Sequence, residues 1–331
     1  MKIAHVMAGA PAGGAELFFE RLSLAQADSG QRVLPIIRRN VLRAARLRAL
    51  APVQLGFGGR WDFRTAWGLR SALRQFQPSV VVGWMNRGAA ACPPGPWVLA
   101  GRLGGYYDLR HYRRCRHLIG NTAGIVDWIR AQGWAPERVH HLPNFSPDLL
   151  GAAPATLPVP AGAPTVLALG RLHRNKAFDV LIRAMALLPG THLVIAGEGP
   201  EHDALTTLAR RLQIADRVHL IGWRQDQGAL LAASHVLACP SRHEPLGNVV
   251  LEAWSAARPV VAANAAGPSE LIRPGTDGLL VAREDAPALA AALRDAMATP
   301  ALAAAGRARY LAEFAQAPVL AQWQHTLERL R

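Results

Sequence analysis

The chain has 331 residues, of which 50% are hydrophobic and 18% charged, with a formal net charge of +14. That length predicts two domains rather than one core, and the composition excludes a disordered chain. Three cysteines (Cys92, Cys115, Cys239), with no CxxC and no pairing pattern, argue against a disulfide framework or a zinc module and predict a reducing, cytoplasmic setting.

From the N-terminus, Lys2–Ala8 reads as a strand running into a glycine turn at Gly13 and Gly14. Its apolar run is too short for a signal peptide, and no stretch reaches the ~20 apolar residues of a membrane span. Further strands are predicted at Arg32–Ile37, Ser79–Trp84, Trp97–Ala100, His117–Gly120 and Val139–Leu142, with helices at Ala15–Ser29, Phe63–Phe76 and Gly124–Gln132. Alternation of this kind is the mark of a parallel α/β sheet. The Pro/Ala/Gly-rich stretch between about Pro147 and Pro164 reads as a linker.

The pattern then restarts. Strands are predicted at Thr165–Leu169, His192–Ala196, Arg217–Ile221, His235–Ala238, Pro259–Ala262 and Gly278–Val281. Helices fall near Asp179–Leu187, Pro200–Leu212, Asp226–Ala233 and Asn248–Ala256, with an amphipathic helix over Ala286–Ala298 and a last one over Val319–Arg331. The expected domains are 1–150 and 151–317, with helix 318–331 packing back on the first. Two doubly wound domains would face each other across a cleft, because ligands sit beyond the carboxyl ends of such strands.

Charge is uneven between the halves. Residues 1–150 hold 20 basic and 8 acidic residues, whereas residues 151–331 hold 17 and 15. The asymmetry points to an anionic partner for the first half: a membrane surface, a phosphorylated glycan or nucleic acid; an arginine-biased composition (only Lys2 and Lys176 are lysine) explains Arg over Lys but not the asymmetry. Within VLRAARLRALA, Leu42, Leu47 and Leu50 intersperse with Arg43, Arg46 and Arg48. That mix fits a basic amphipathic helix on an anionic surface and equally a solvated helix packed on the sheet.

Two segments concentrate the chemistry. Gly170–Ile182 (GRLHRNKAFDVLI) places Arg171 and Lys176 on a strand-to-helix loop, where N–H groups and the helix dipole favour a diphosphate. An ordinary solvated loop is an equal reading of that segment alone. Ser241–Val261 places Glu244 in the loop after a strand and Glu252 one turn into a helix opened by Gly247, Asn248 and Val249. Two carboxylates can accept from sugar hydroxyls on either side of a diphosphate, although Glu252 also suits a first-turn dipole partner.

The Glu-x7-Glu arrangement resembles that of retaining GT-B glycosyltransferases, in particular the family 4 group (glycosyl transferases group 1). Supporting pieces fall in order: Gly13-Gly14, the GR…NK loop, Gly197–Pro200, Gly222-Trp223, Glu244…Glu252 and AAGPSELI…GTDGLLV. The resemblance implies that Arg171 and Lys176 hold the diphosphate of a nucleotide-sugar donor, with UDP as the expected nucleotide, and stabilise the leaving charge. It implies that Glu244 contacts the transferred sugar, that Gly247, Asn248 and Val249 offer backbone N–H groups, and that Glu252 binds the ribose. Gly13 and Gly14 would let their loop approach the phosphates. No metal and no cofactor are expected, and the leaving phosphate would assist deprotonation of the acceptor. The acceptor implied, met by domain 1–150 while domain 151–317 holds the donor, is a glycan or lipid-linked glycan of the cell envelope, such as lipopolysaccharide, with peripheral attachment to the inner membrane face. Many relatives carry a histidine where this chain has Arg102, Leu103 and Gly104, and neither His111 nor His117 replaces it. His5 is read as structural, and Trp223 as packed rather than as lining a base pocket. A GT-B sugar-nucleotide epimerase is the first alternative. A nucleic-acid-binding protein is the second, although no RNP, zinc or helix-turn-helix signature supports it, so nucleic acid is not an expected partner.

Overall fold

A computed structural model describes residues 1–9, 13–59 and 62–330. It divides into two α/β units, one of Met1–Asn144 with Gln316–Arg331, the other of Phe145–Ala315.

The first unit is built on β1 (Lys2–Met7), β2 (Arg32–Arg38), β3 (Val53–Leu55), β4 (Val80–Trp84), β5 (Val98–Leu103), β6 (His117–Gly120) and β7 (Val139–His141). Their order is β3-β2-β1-β4-β5-β6-β7, and every pairing is parallel. A parallel sheet is covered on both faces, which is why its central strands are continuously apolar rather than alternating. All five residues of β4, VVVGW, are buried. Helix starts are fixed by Asn40, Asp62 and Thr122, whose side chains accept from backbone N–H groups of the first turn. The short strand β3 was not anticipated. β5 runs further than expected and takes Arg102 and Leu103 into the sheet.

The second unit is built on β8 (Thr165–Leu169), β9 (His192–Ala196), β10 (Val218–Leu220), β11 (Val236–Cys239), β12 (Val260–Ala263) and β13 (Leu279–Val281). Their order is β10-β9-β8-β11-β12-β13, again parallel throughout.

Three expectations need correction. The Pro147–Pro164 stretch is not a free linker. Leu149, Ala155, Leu157 and Val159 pack on the core of the second unit, Ala155 N–H donates to the Ala229 carbonyl at 2.9 Å, and the domain boundary falls earlier, at Asn144. The basic helix, Val41–Arg46, does not keep all its arginines in solvent or at a surface, as both readings of it required. Arg43 is 1% exposed and paired with Glu20 at 3.0 Å, Leu47 is buried, and Val41 and Leu42 are 85% and 69% exposed. A buried guanidinium with a buried carboxylate explains the inversion, since neither charge tolerates burial alone. Trp223 is 54% exposed, so ordinary packing does not account for it.

His5 is structural, as read. It is fully buried, its Nε2 lies 2.7 Å from Gln26 Oε1, and its Nδ1 accepts from Trp84 Nε1 at 3.0 Å. Burial lowers its pKa to about 4. The last helix, Gln316–Arg329, belongs to the first unit, buries Val319, Trp323 and Leu327, and stacks Trp323 on Trp84 at 6.3 Å between ring centroids. Pro318 sits in its first turn, where no backbone N–H is needed.

Candidate functional site

The order of a doubly wound sheet reverses at one point, and the loops leaving the two strands on either side form a crevice there. In the second unit that point lies between β8 and β11. The loop after β8 carries Arg171 and Lys176, and the loop after β11 carries Glu244.

Lys176 Nζ lies 2.5 Å from Glu244 Oε2, with the two side chains 25% and 13% exposed. Ser241 Oγ donates to the same carboxylate oxygen at 3.4 Å. Burial pulls the Lys176 pKa down, but Glu244, with a contribution from Glu252, outweighs it and holds the ammonium above its ordinary range. The two glutamates eight positions apart in the sequence therefore both act on one cation.

Those loops are clasped together. Backbone N–H groups of Arg242 and His243 donate to the Asn175 carbonyl at 2.8 and 3.3 Å. The Arg242 guanidinium forks onto Asp179 at 2.8 Å for both bonds, and reaches the Arg174 carbonyl at 2.7 Å and Glu284 at 2.9 Å. Such a planar, multiply bonded arginine fixes geometry that a lysine would leave loose.

A third loop, Gly197–Pro200, presses against the first. Leu172 N–H donates to the Glu198 carbonyl at 2.9 Å and Gly170 N–H to that of Ala196 at 3.1 Å. A Cβ on Gly197 would stand 1.8 Å from the Gly170 carbonyl oxygen. Backbone approach thus demands glycine in GEGP. Beyond Glu244, Gly247 takes φ 87° and opens the helix Asn248–Ser255 without a side-chain cap. Asn248, Val249 and Glu252 are each half-buried along its first turns. Gly267 N–H donates to the Glu244 carbonyl at 2.8 Å, and a Cβ on Gly267 would meet the Leu246 backbone at 2.4 Å. The structure thus brings Lys176 and Glu244 into contact, with Glu252 in electrostatic reach. Arg171 is exposed on the same loop and has no ion-pair partner among the described residues.

In the first unit, Gly13 and Gly14 precede and open the helix Gly14–Asp28, while positions 10–12 of the glycine turn lie outside the described residues. A Cβ on Gly9 or Gly13 would fall 2.3 or 2.4 Å from the Glu16 carboxylate, so these glycines make room for a buried acid. Arg102, in the position where a histidine was sought, is fully buried. Its guanidinium lies 4.7 Å over Trp84 and 5.2 Å over Phe18, and its Nη2 donates to Asn144 Oδ1. Burial pulls its pKa down to about 10.

Sequence reasoning gave no role to Arg242, Asp179 or Gly267, although each lies in a segment it singled out, because their contacts carry no spacing signal. It also passed over Asp277 within GTDGLLV, whose buried carboxylate binds Arg273 N–H at 2.7 Å and Arg309 at 3.1 Å.

Residues 163–299 match the family model described as glycosyl transferases group 1. The chain is 34% identical over 309 residues to the lipopolysaccharide core biosynthesis glycosyltransferase LpsE of Rhizobium meliloti (strain 1021), covering 90% of this chain and 89% of that protein. It is 33% identical over 309 residues to LpsD of the same organism, covering 91% and 90%. Among solved structures, Anabaena HepE in complex with UDP-glucose superposes with a TM-score of 0.82 at 22% identity, over 99% of this chain and 100% of that one.

Proposed function

Since the chain belongs to the glycosyl transferases group 1 family and has the GT-B fold, we propose that this glycosyltransferase is a retaining, metal-independent enzyme of lipopolysaccharide core assembly, with a UDP-sugar as donor. The observation that carries the donor assignment is the Lys176–Glu244 pair at the switch point of the second unit. An ammonium has three N–H donors, so Lys176 can keep Glu244 and still reach a phosphate oxygen. Arg171 supplies a second cation, and the start of the helix Asn248–Ser255 adds a positive dipole end. Charge building on the leaving diphosphate is met by these groups without a divalent ion. Glu244 holds hydroxyls of the sugar being transferred, and Glu252 holds the ribose. The acceptor reading draws on LpsE and LpsD, and the UDP reading on the UDP-glucose held by HepE.

The enzyme works at an anionic membrane surface. Support comes from the 20 basic against 8 acidic residues of positions 1–150 and from exposed Val41 and Leu42 beside exposed Arg39, Arg46 and Arg48. No helix among the described residues is long and apolar enough to cross a membrane.

A thermal-shift panel with UDP-, GDP-, ADP- and dTDP-sugars tests the donor. Ligand at a hundred times its dissociation constant adds about 2.7 kcal/mol of stability, and a shift confined to UDP-sugars is expected. NMR of the product then reads the anomeric configuration. An inverted product overturns retention.

A further inference from the structure

Two histidine pairs outside the donor site share one geometry. In the second unit His192 opens β9 and His219 lies on β10, and Nδ1 of the first stands 3.2 Å from Nε2 of the second. In the first unit His117 opens β6 and His140 lies on β7, with Nδ1 and Nε2 3.1 Å apart. Each pair joins an edge strand to its neighbour, and all four rings are half-buried. Strand register explains both meetings. His219 pairs with Val194 and His140 with Ile119, each two residues beyond the other histidine and so on the same face of its strand.

Two such nitrogens are also placed as neighbouring ligands of one transition ion. Imidazole nitrogens bind zinc at about 2.0–2.1 Å, so two of them on a tetrahedral ion stand about 3.3 Å apart. A hydrogen bond between the rings gives nearly the same separation, and the surrounding charge therefore decides. His117 is faced by Arg116 and Arg138, and His140 by Arg130 and Arg329. Those guanidinium groups repel a divalent cation. His219 is faced instead by Asp216. Arg217 is committed elsewhere, donating to the carbonyls of Met185, Leu188 and Thr191 at 3.3, 2.9 and 2.9 Å. The pair in the second unit thus sits in a field that favours a cation, and its twin does not.

We propose that His192 and His219 form a site for a divalent transition ion of the zinc or copper class, which staples β10 to β9. No group of three or more His, Cys, Asp or Glu among the described residues could hold a metal, so the protein supplies two ligands and water the others. Magnesium and calcium are excluded as occupants by their demand for oxygen ligands. β10 is an edge strand that pairs with β9 over three residues, none of them fully buried. A cross-link to its neighbour steadies a strand held by so little. The site lies at the amino end of β9, whereas the donor loops leave the carboxyl ends, five residues or about 16 Å along the strand. The ion is structural, and its binding does not depend on the glycosyltransferase reading.

The test uses the tag-free full chain stripped of metal, titrated with Zn2+ by calorimetry and loaded with Cu2+ for electron paramagnetic resonance. One ion per chain should bind, Cu2+ more tightly than Zn2+, and the Cu2+ spectrum should show coupling to two imidazole nitrogens. His192→Gln and His219→Gln should each weaken binding about tenfold or more, whereas His117→Gln should leave it unchanged. Zn2+ should raise the thermal midpoint of the wild type and of neither site variant, and Mg2+ should raise none. Absence of binding at about 1 mM Zn2+, undiminished binding by both site variants, or its loss in His117→Gln overturns the assignment. Binding without the rise in midpoint overturns the stapling. The wild-type Cu2+ spectrum reads the ligands even where a variant fails to fold, and a spectrum without two coupled imidazoles overturns the proposal.

Discussion

Lys176 bears most of the chemical argument, because it is the cation that two glutamates share. Lys176→Ala and Arg171→Ala should each depress turnover by about 2.7–4 kcal/mol in the barrier, the usual cost of one electrostatic donor to a leaving group. Rate measurements at saturating donor check this, and near-wild-type rates in both variants would remove these residues from the site. The glutamates should fail differently. Glu252→Ala should weaken binding of free nucleotide, since the ribose is remote from the breaking bond. Glu244→Ala should lower kcat at saturating donor while nucleotide affinity changes less; calorimetry with free nucleotide separates the two, and equal losses contradict the roles. The sequence made the two glutamates legible only by their resemblance to a known spacing. Contact between Lys176 and Glu244, 2.5 Å apart across 68 positions, is a product of strand order, which periodicity does not encode. Arg43 was misread for a related reason. An arginine between leucines looks solvated until the buried Glu20 that partners it is placed by another helix.

At the level of elements, close backbone approach decides which glycines matter. Gly197→Ala would drive a Cβ to 1.8 Å from the Gly170 carbonyl oxygen, where no flexible side chain can give way. Forced overpacking of this kind costs typically about 1–3 kcal/mol, and a lower thermal midpoint with weaker nucleotide binding is expected. An unchanged midpoint would mean that the two loops do not abut. His5 gives a second prediction, at the contact of β1 with the helix Gly14–Asp28. Its pKa falls from 6.5 unfolded to about 4 folded, so between those values the unfolded chain holds the extra proton and stability declines as pH falls. At about 1.4 kcal/mol per unit, with the shift from 6.5 to about 4, the loss comes to about 3.5 kcal/mol, complete below pH 4. His5→Leu should reduce the acid slope of unfolding free energy over that window by about one proton. An identical slope would show that His5 protonates freely in the fold. Strands and most helices were legible because parallel α/β layers write themselves as apolar runs separated by amphipathic ones. The Pro/Ala-rich segment was not, since its few apolar residues, Leu149, Leu157 and Val159, carry no period from which packing can be read.

For the molecule as a whole, the split into two parallel sheets, each with a reversal of strand order, gives each unit its own crevice. The second collects Arg171, Lys176 and Glu244; the first collects Arg38, Arg87 and Arg114, which have no ion-pair partner among the described residues. Vesicle binding belongs to this scale. Association with phosphatidylglycerol vesicles should weaken as salt rises and fall on replacing Val41, Leu42 and Arg48 with Ser, since each basic residue near an anionic leaflet contributes about 1 kcal/mol. Sedimentation that ignores both changes would remove the membrane from the account. Binding of a nucleotide sugar's diphosphate by the loops after β8 and β11 is read by calorimetric titration with UDP. Wild type should bind saturably, and Arg171→Ala/Lys176→Ala should bind about a hundredfold or more weakly while still unfolding in one cooperative transition, two charge-assisted contacts having been lost. A double variant that binds UDP as tightly as wild type would contradict the account.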